Sequence, residues 1–98
     1  MNSASREPRA SASGNPLAEG RRWVDAEGIH IDVRGLLPPG PLVAILELVE
    51  SIRDATHVIV HHERDPQMLY PELAEIGWTA ERIDAPAGEV RLKLERAP

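Results

Sequence analysis

The sequence predicts a small α/β domain, a two-layer α+β sandwich in the order β-α-β-α-β-β. Both helices are expected on one face of an open four-stranded mixed sheet. Three observations predict this. Stretches with a period of two alternate with stretches of helical period. The chain ends in two strand-like stretches joined by the short turn "APAG". Each strand shows one apolar face, so a single layer of helices is enough to cover the sheet.

The first strand is "IHIDVRG". Ile29, Ile31 and Val33 point one way, and His30, Asp32 and Arg34 the other. In "PLVAILELVESI" the period changes: Leu42, Ile45, Leu46, Val49 and Ile52 fall on one helical face, with Glu47, Glu50 and Arg53 on the wet side. Pro38, Pro39 and Pro41 mark its start, because a helix's first turn has N–H groups with no intrahelical partner and tolerates proline. "THVIVHH" is a short β-branched strand. "RDPQMLYPELAEIG" reads as a second helix, with Asp65 as N-cap, Pro66 as first helical residue and Gly77 at C′. Pro71 predicts a kink, or a short turn followed by a fresh helix start. "WTAERID" and "EVRLKLE" close the fold as a hairpin. Each of the first two strands leads into a helix, so those two are expected to be parallel.

Composition narrows the function. The chain has 98 residues and no cysteine, so disulfides, thiolate chemistry and cysteine metal sites are excluded. No apolar run is long enough to span a membrane, and the N-terminus lacks the apolar core of a secretory signal, so a cytoplasmic protein is expected. Residues 1–22, rich in Ser, Ala, Pro, Gly and Arg, read as a flexible tail, with the domain over residues 23–98. The tail carries a net charge of +2 and the domain −7. An acidic domain with only three aromatics is a poor nucleic-acid binder.

The stretch "IDVRGLLPPGPLVAILELVE" resembles the opening of the TusA/SirA-like sulfur-carrier proteins, whose pattern is Asp-x-Arg-Gly-Leu-x-Cys-Pro-x-Pro. Asp32, Arg34, Gly35, Leu36, Pro39 and Pro41 match it, and the family's sulfur-carrying cysteine falls on Pro38. The stretch "HHERDPQMLYPELAEIGW" is similar to a related bacterial group of unknown function that has Pro-Pro in place of Cys-Pro. The resemblance spans residues 29–95 and implies a sheet order of 1-2-4-3 with one antiparallel strand. It also suggests a bacterial redox or respiratory setting, since related domains occur alone or fused to hemerythrin-like modules. Sulfur relay itself is rejected: it needs a thiolate that can hold a persulfide, and proline cannot.

Parallel strands gather their carboxyl ends along one edge, where open α/β sheets bind ligands. That edge is expected to collect Asp32, Arg34, His61, His62, Arg64 and Asp65 as candidate ligand-binding residues, near two helix N-termini. The plainer reading has Arg34 tying down its loop through Asp32, while Asp65 caps a helix. His30, His61 and His62 are the metal candidates, with Asp32 or Glu63 as a possible third ligand. Their spacing fits known metal motifs loosely, so exposed histidines on a solvated face are the expectation and no cofactor is assigned. His57 and His61 share a strand face but sit about 13 Å apart, too far to be a ligand pair. Trp78 is expected in the core or as a hydrophobic C-cap contact, and Trp23, at the very start of the domain, is expected to dock back onto it.

The leading functional reading is a non-catalytic binding or adaptor module for a protein partner or a small anionic ligand. One alternative is a metal- or haem-associated protein using the strand-end histidines. The other is an enzyme acting on a small anionic substrate through Arg34 and His61 or His62.

Overall fold

A computed structural model describes residues 20–98. Seven elements follow one another: β1 (Arg21–Asp25), β2 (Gly28–Asp32), α1 (Gly40–Ser51), β3 (Val58–His62), α2 (Leu69–Glu75), β4 (Trp78–Ile83) and β5 (Val90–Arg96). They form one five-stranded sheet in the order β1-β2-β3-β5-β4. β2 and β3 are parallel, and the pairs β1–β2, β3–β5 and β4–β5 are antiparallel. The four expected strands therefore stand in the expected 1-2-4-3 order, with an additional edge strand beside the first.

That edge strand corrects the expected layout. The tail was expected to run to residue 22, but Arg21 and Arg22 belong to β1 and pair with Asp32 and Ile31. Residues 1–19 lie outside the described part. β1 and β2 make a tight hairpin whose turn closes at Gly28. Gly28 has a positive φ of 135°, and a Cβ there would collide with the His57 carbonyl, which accepts the Ile29 N–H at 3.0 Å. Gly28→Ala is expected to cost about 1–2 kcal/mol through this strain, read as a lower denaturant midpoint with an unchanged m-value.

The core lies between the helices and one sheet face. Ile31 and Val33, Val58 and Val60, and Val90, Leu92 and Leu94 supply the sheet side. Ala44, Ile45, Leu48, Val49, Leu69 and Leu73 supply the helix side, and Trp78 joins them at 4% exposure. This single cluster follows from the period-two and helical stripes of the sequence, because only those faces carry contiguous apolar side chains.

α2 takes the second of the forms expected at Pro71, a short turn followed by a fresh helix start, but neither Asp65 nor Pro66 opens it. Proline in place of a free N–H forces the chain to start the helix late, and the segment before it is a turn in which Leu69 N–H donates to the Pro66 carbonyl at 2.9 Å. Pro71 then falls in the first helical turn, where it is tolerated. Asp65 is not the N-cap, since that position is Met68; its carboxylate instead accepts from the Tyr70 hydroxyl and, at 2.8 Å, from the Gln67 side chain. Gly77 follows the C-cap with φ of 82°, as expected for C′.

Candidate functional site

The residues expected at one sheet edge divide into two groups, because adjacent strand residues face opposite sides of the sheet. Asp32, Arg34 and His61 lie on the outer face. His62, Arg64 and Asp65 lie on the helix side.

On the outer face, β1 brings Trp23 over the histidines. Its ring stacks on His30 with centroids 4.9 Å apart and an interplanar angle of 12°, and it tilts over His61 at 5.0 Å. The face expected to be solvated is therefore covered. His30 and His61 are 4% and 6% exposed, which corrects the expectation of exposed histidines.

The covered groups form a connected line. His61 Nδ1–H donates to Glu89 Oε2 at 2.7 Å. His61 Nε2 and His30 Nδ1 share a hydrogen bond of 2.8 Å. His30 Nε2 meets Asp25 at 2.9 Å and Glu27 at 3.4 Å. Arg91 Nε donates to Glu89 at 2.8 Å, and Arg34 forks onto Asp32 at 2.8 and 2.9 Å while reaching Glu89 at 3.4 Å. Burial pushes the His61 imidazole below the usual histidine range, against the opposing pull of Glu89. The hydrogen bonds from Arg34 hold Asp32 down at about 2, and those from Arg91 and His61 lower Glu89. The network is closed: Arg34 is committed to carboxylates, as the plainer reading had it.

Among the metal candidates, His30 and His61 touch each other, while His62 faces the opposite side of the sheet. Asp25, Glu27 and His30 offer ligand atoms within 4.8 Å of one another. The two carboxylates are exposed at the hairpin turn and lie 2.9 and 3.4 Å from His30 Nε2.

On the helix side there is a cavity of about 420 Å³ between the start of α1 and the turn before α2. Leu36, Pro38, Pro39, Pro41 and Leu42 form one wall, and residues 62–69 form the other. The volume lies within the range of small-molecule sites, which are mostly apolar with a few placed polar groups. No side chain lining it is a thiol, hydroxyl or amine. Met68, one of the lining residues, is 71% exposed.

His62 is the buried polar group of this cavity, at 5% exposure. Its Nδ1 accepts the Glu63 N–H at 2.8 Å and the Arg64 N–H at 3.2 Å. A ring nitrogen that accepts two N–H groups carries no proton itself, so the proton sits on Nε2. Burial pushes the His62 imidazole below the usual histidine range, in keeping with a neutral ring. With Nδ1 occupied, Nε2–H is the edge left for an occupant, and nothing among the described residues accepts from it.

A family model described as "Uncharacterized conserved protein (DUF2249)" matches residues 30–96, the span holding both groups except for the β1 hairpin residues. The chain belongs to this family. Among solved structures, a SirA-like protein from Desulfitobacterium hafniense is similar in fold, with a TM-score of 0.60 at 19% identity over 70% of this chain and 97% of that one. No curated protein matches.

In this DUF2249 domain several site residues escape sequence reasoning. Glu89 lies far along the chain from the histidines and was readable only as the first residue of the last strand, "EVRLKLE". Trp23 and Asp25 come from an edge strand whose pattern is almost wholly exposed, and Glu27 from the turn after it. Pro38 was read as marking the helix start and Leu42 as part of the buried helical face, neither as a cavity wall. No helix among the described residues is long and apolar enough to cross a membrane.

Proposed function

We propose that this DUF2249 domain is a non-catalytic binding module whose recognition site is the cavity between the start of α1 and the turn before α2. The observation that carries this is the buried His62 Nε2–H, which has no acceptor among the described residues, in a cavity whose wall is largely proline, leucine and Met68. A buried donor without an acceptor costs about 1–3 kcal/mol, so an occupant that accepts from it regains binding energy. The resemblance to the sulfur carriers supports the same site, since Pro38 stands there where that pattern has its cysteine. Binding geometry is retained at this turn without a nucleophile. An adaptor role in a bacterial redox or respiratory setting belongs to the same proposal.

The test is amide chemical-shift mapping with a set of aromatic and aliphatic fragments. The expected shifts cluster on residues 36–42 and 62–69, and bound fragments are recovered chemically unchanged. Fragments that perturb only other surfaces, or that are converted on incubation, would overturn the reading.

A further inference from the structure

The cavity's charge arrangement narrows its occupant. α1 begins there without compensation: its N-cap is Pro39, no side chain caps it, and its first turn holds no acidic residue. Gly40 N–H donates to Leu37 O and Val43 N–H to Pro39 O, while Pro41 has no N–H. The Leu42 N–H has no backbone acceptor among the described residues, and Leu42 lines the cavity. A helix start of this kind carries partial positive charge and favours an anion.

The ionised side chains at the rim are unevenly committed. Glu63 Oε1 accepts the Gly35 N–H at 2.8 Å, and Asp65 accepts from Tyr70 and Gln67. Arg64 lines the cavity and makes no ion pair with any described residue. Glu63 and Asp65 keep their charge on the rim, each turned to protein donors, and the donors left open to an occupant are Nε2–H of His62, the Leu42 N–H and the Arg64 guanidinium. Around them the wall is proline, leucine and Met68. A bare dianion would lose its hydration against that wall with too few donors in return. A single carboxylate on an apolar body matches both parts.

We infer that the cavity binds small organic monocarboxylates, with the carboxylate held by His62 Nε2–H, the start of α1 and Arg64, and the apolar body against the proline and leucine wall. This rests on the reading of the cavity as a binding site.

The test uses benzoate, its neutral isostere benzamide, and inorganic sulfate, titrated into the full chain and followed by amide shifts. Benzoate is expected to bind at residues 36–42 and 62–69 at least about tenfold more tightly than benzamide, as hydrogen bonds to a charged acceptor are the stronger ones. His62→Asn keeps an acceptor for the Glu63 and Arg64 N–H groups and removes Nε2–H. It should narrow the benzoate preference to within about threefold. Arg64→Gln, on an exposed position, should narrow it independently, which keeps the test decisive if His62→Asn folds poorly. Equal affinity for benzoate and benzamide would overturn the carboxylate assignment and leave the cavity standing as a binding site. Tighter binding of sulfate than of benzoate would overturn the requirement for an apolar body. No binding of either aromatic would overturn the assignment too, and if the wider fragment set also fails, the binding reading falls with it.

Discussion

Trp23→Ala is expected to destabilise the domain by about 2–3 kcal/mol, somewhat less than the loss for a fully buried tryptophan. Trp23 is the one half-buried residue of β1, whose other residues are exposed. Its ring covers His30 and His61, and the Arg21 guanidinium lies 5.0 Å from its centroid. Alanine would lose this area and let water reach the hydrogen-bonded histidine pair. For a domain of this size, the melting temperature should fall by roughly 10 °C or more. Trp23→Phe keeps an aromatic face over His30 and should recover most of the loss. Truncation supplies the larger effect. Removing residues 1–19 leaves every described element in place, whereas removing residues 1–25 deletes β1 and opens the edge of β2, where His30 and Ile31 are buried. The longer truncation should lose more than Trp23→Ala does. Thermal denaturation of the four proteins checks this, and an unchanged melting temperature after removal of residues 1–25 would show that β1 adds nothing to the fold.

The same strand marks where sequence reasoning stopped. Most of the fold was legible, because Ile31 and Val33, Val58 and Val60, and Leu92 and Leu94 repeat with period two, while α1 repeats with helical period. Those periods arise only when one face is buried and the other wet. β1 is an edge strand with one inward side chain, so "RRWVD" has no alternation to read and blends into a polar leader. Missing it reversed the environment of His30 and His61. The side of the sheet they occupy was correct; the cover over that side was not visible. The parallel-strand edge was equally legible in outline. What the sequence did not disclose was that His61 and His62, as neighbours in one strand, would serve two different networks on two faces.

The division has a physical consequence for the cavity. The outer-face groups neutralise one another: Arg34 is satisfied by Asp32 and Glu89, and Arg91 by Glu89. The helix-side groups are not paired in this way, since His62 spends its acceptor on backbone N–H groups and its donor has no partner among the described residues. One strand thus carries a closed polar network that holds β1, β2, β3 and β5 in register, and one open donor facing an apolar space. Rigid strands beneath an open donor are the arrangement that preorganises a binding site.

Stability should be greatest from about pH 7 to 10 and fall on both sides, and the acid side should fall further. The ordinary histidine value is 6.5, and burial lowers both His61 and His62 in the folded state. Between their folded and unfolded values the unfolded chain binds more protons. Their contribution is therefore fully present above 6.5 and is lost as the pH drops below it. The carboxylates act in the same direction at lower pH. Asp32 is held at about 2 against an ordinary 3.8, so its contribution is complete above 3.8 and lost by about 2. That shift corresponds to at most about 2.5 kcal/mol, and screening at the half-exposed Arg34 reduces it to ~1 kcal/mol. Glu89, lowered by Arg91 and His61, adds to the same loss. On the alkaline side burial and the Asp65 hydrogen bond raise Tyr70 to about 12 from 10.0. The unfolded chain gives up this proton first, so stability declines as the pH rises through that window. Denaturant midpoints measured across the pH range check the curve. Asp32→Asn should flatten the segment between pH 4 and 2, and Tyr70→Phe the segment above pH 10. A protein that gained stability on acidification from pH 7 to 5 would show that His61 and His62 bind protons more readily when folded, and the neutral Nε2–H donor assigned to His62 would then be untenable.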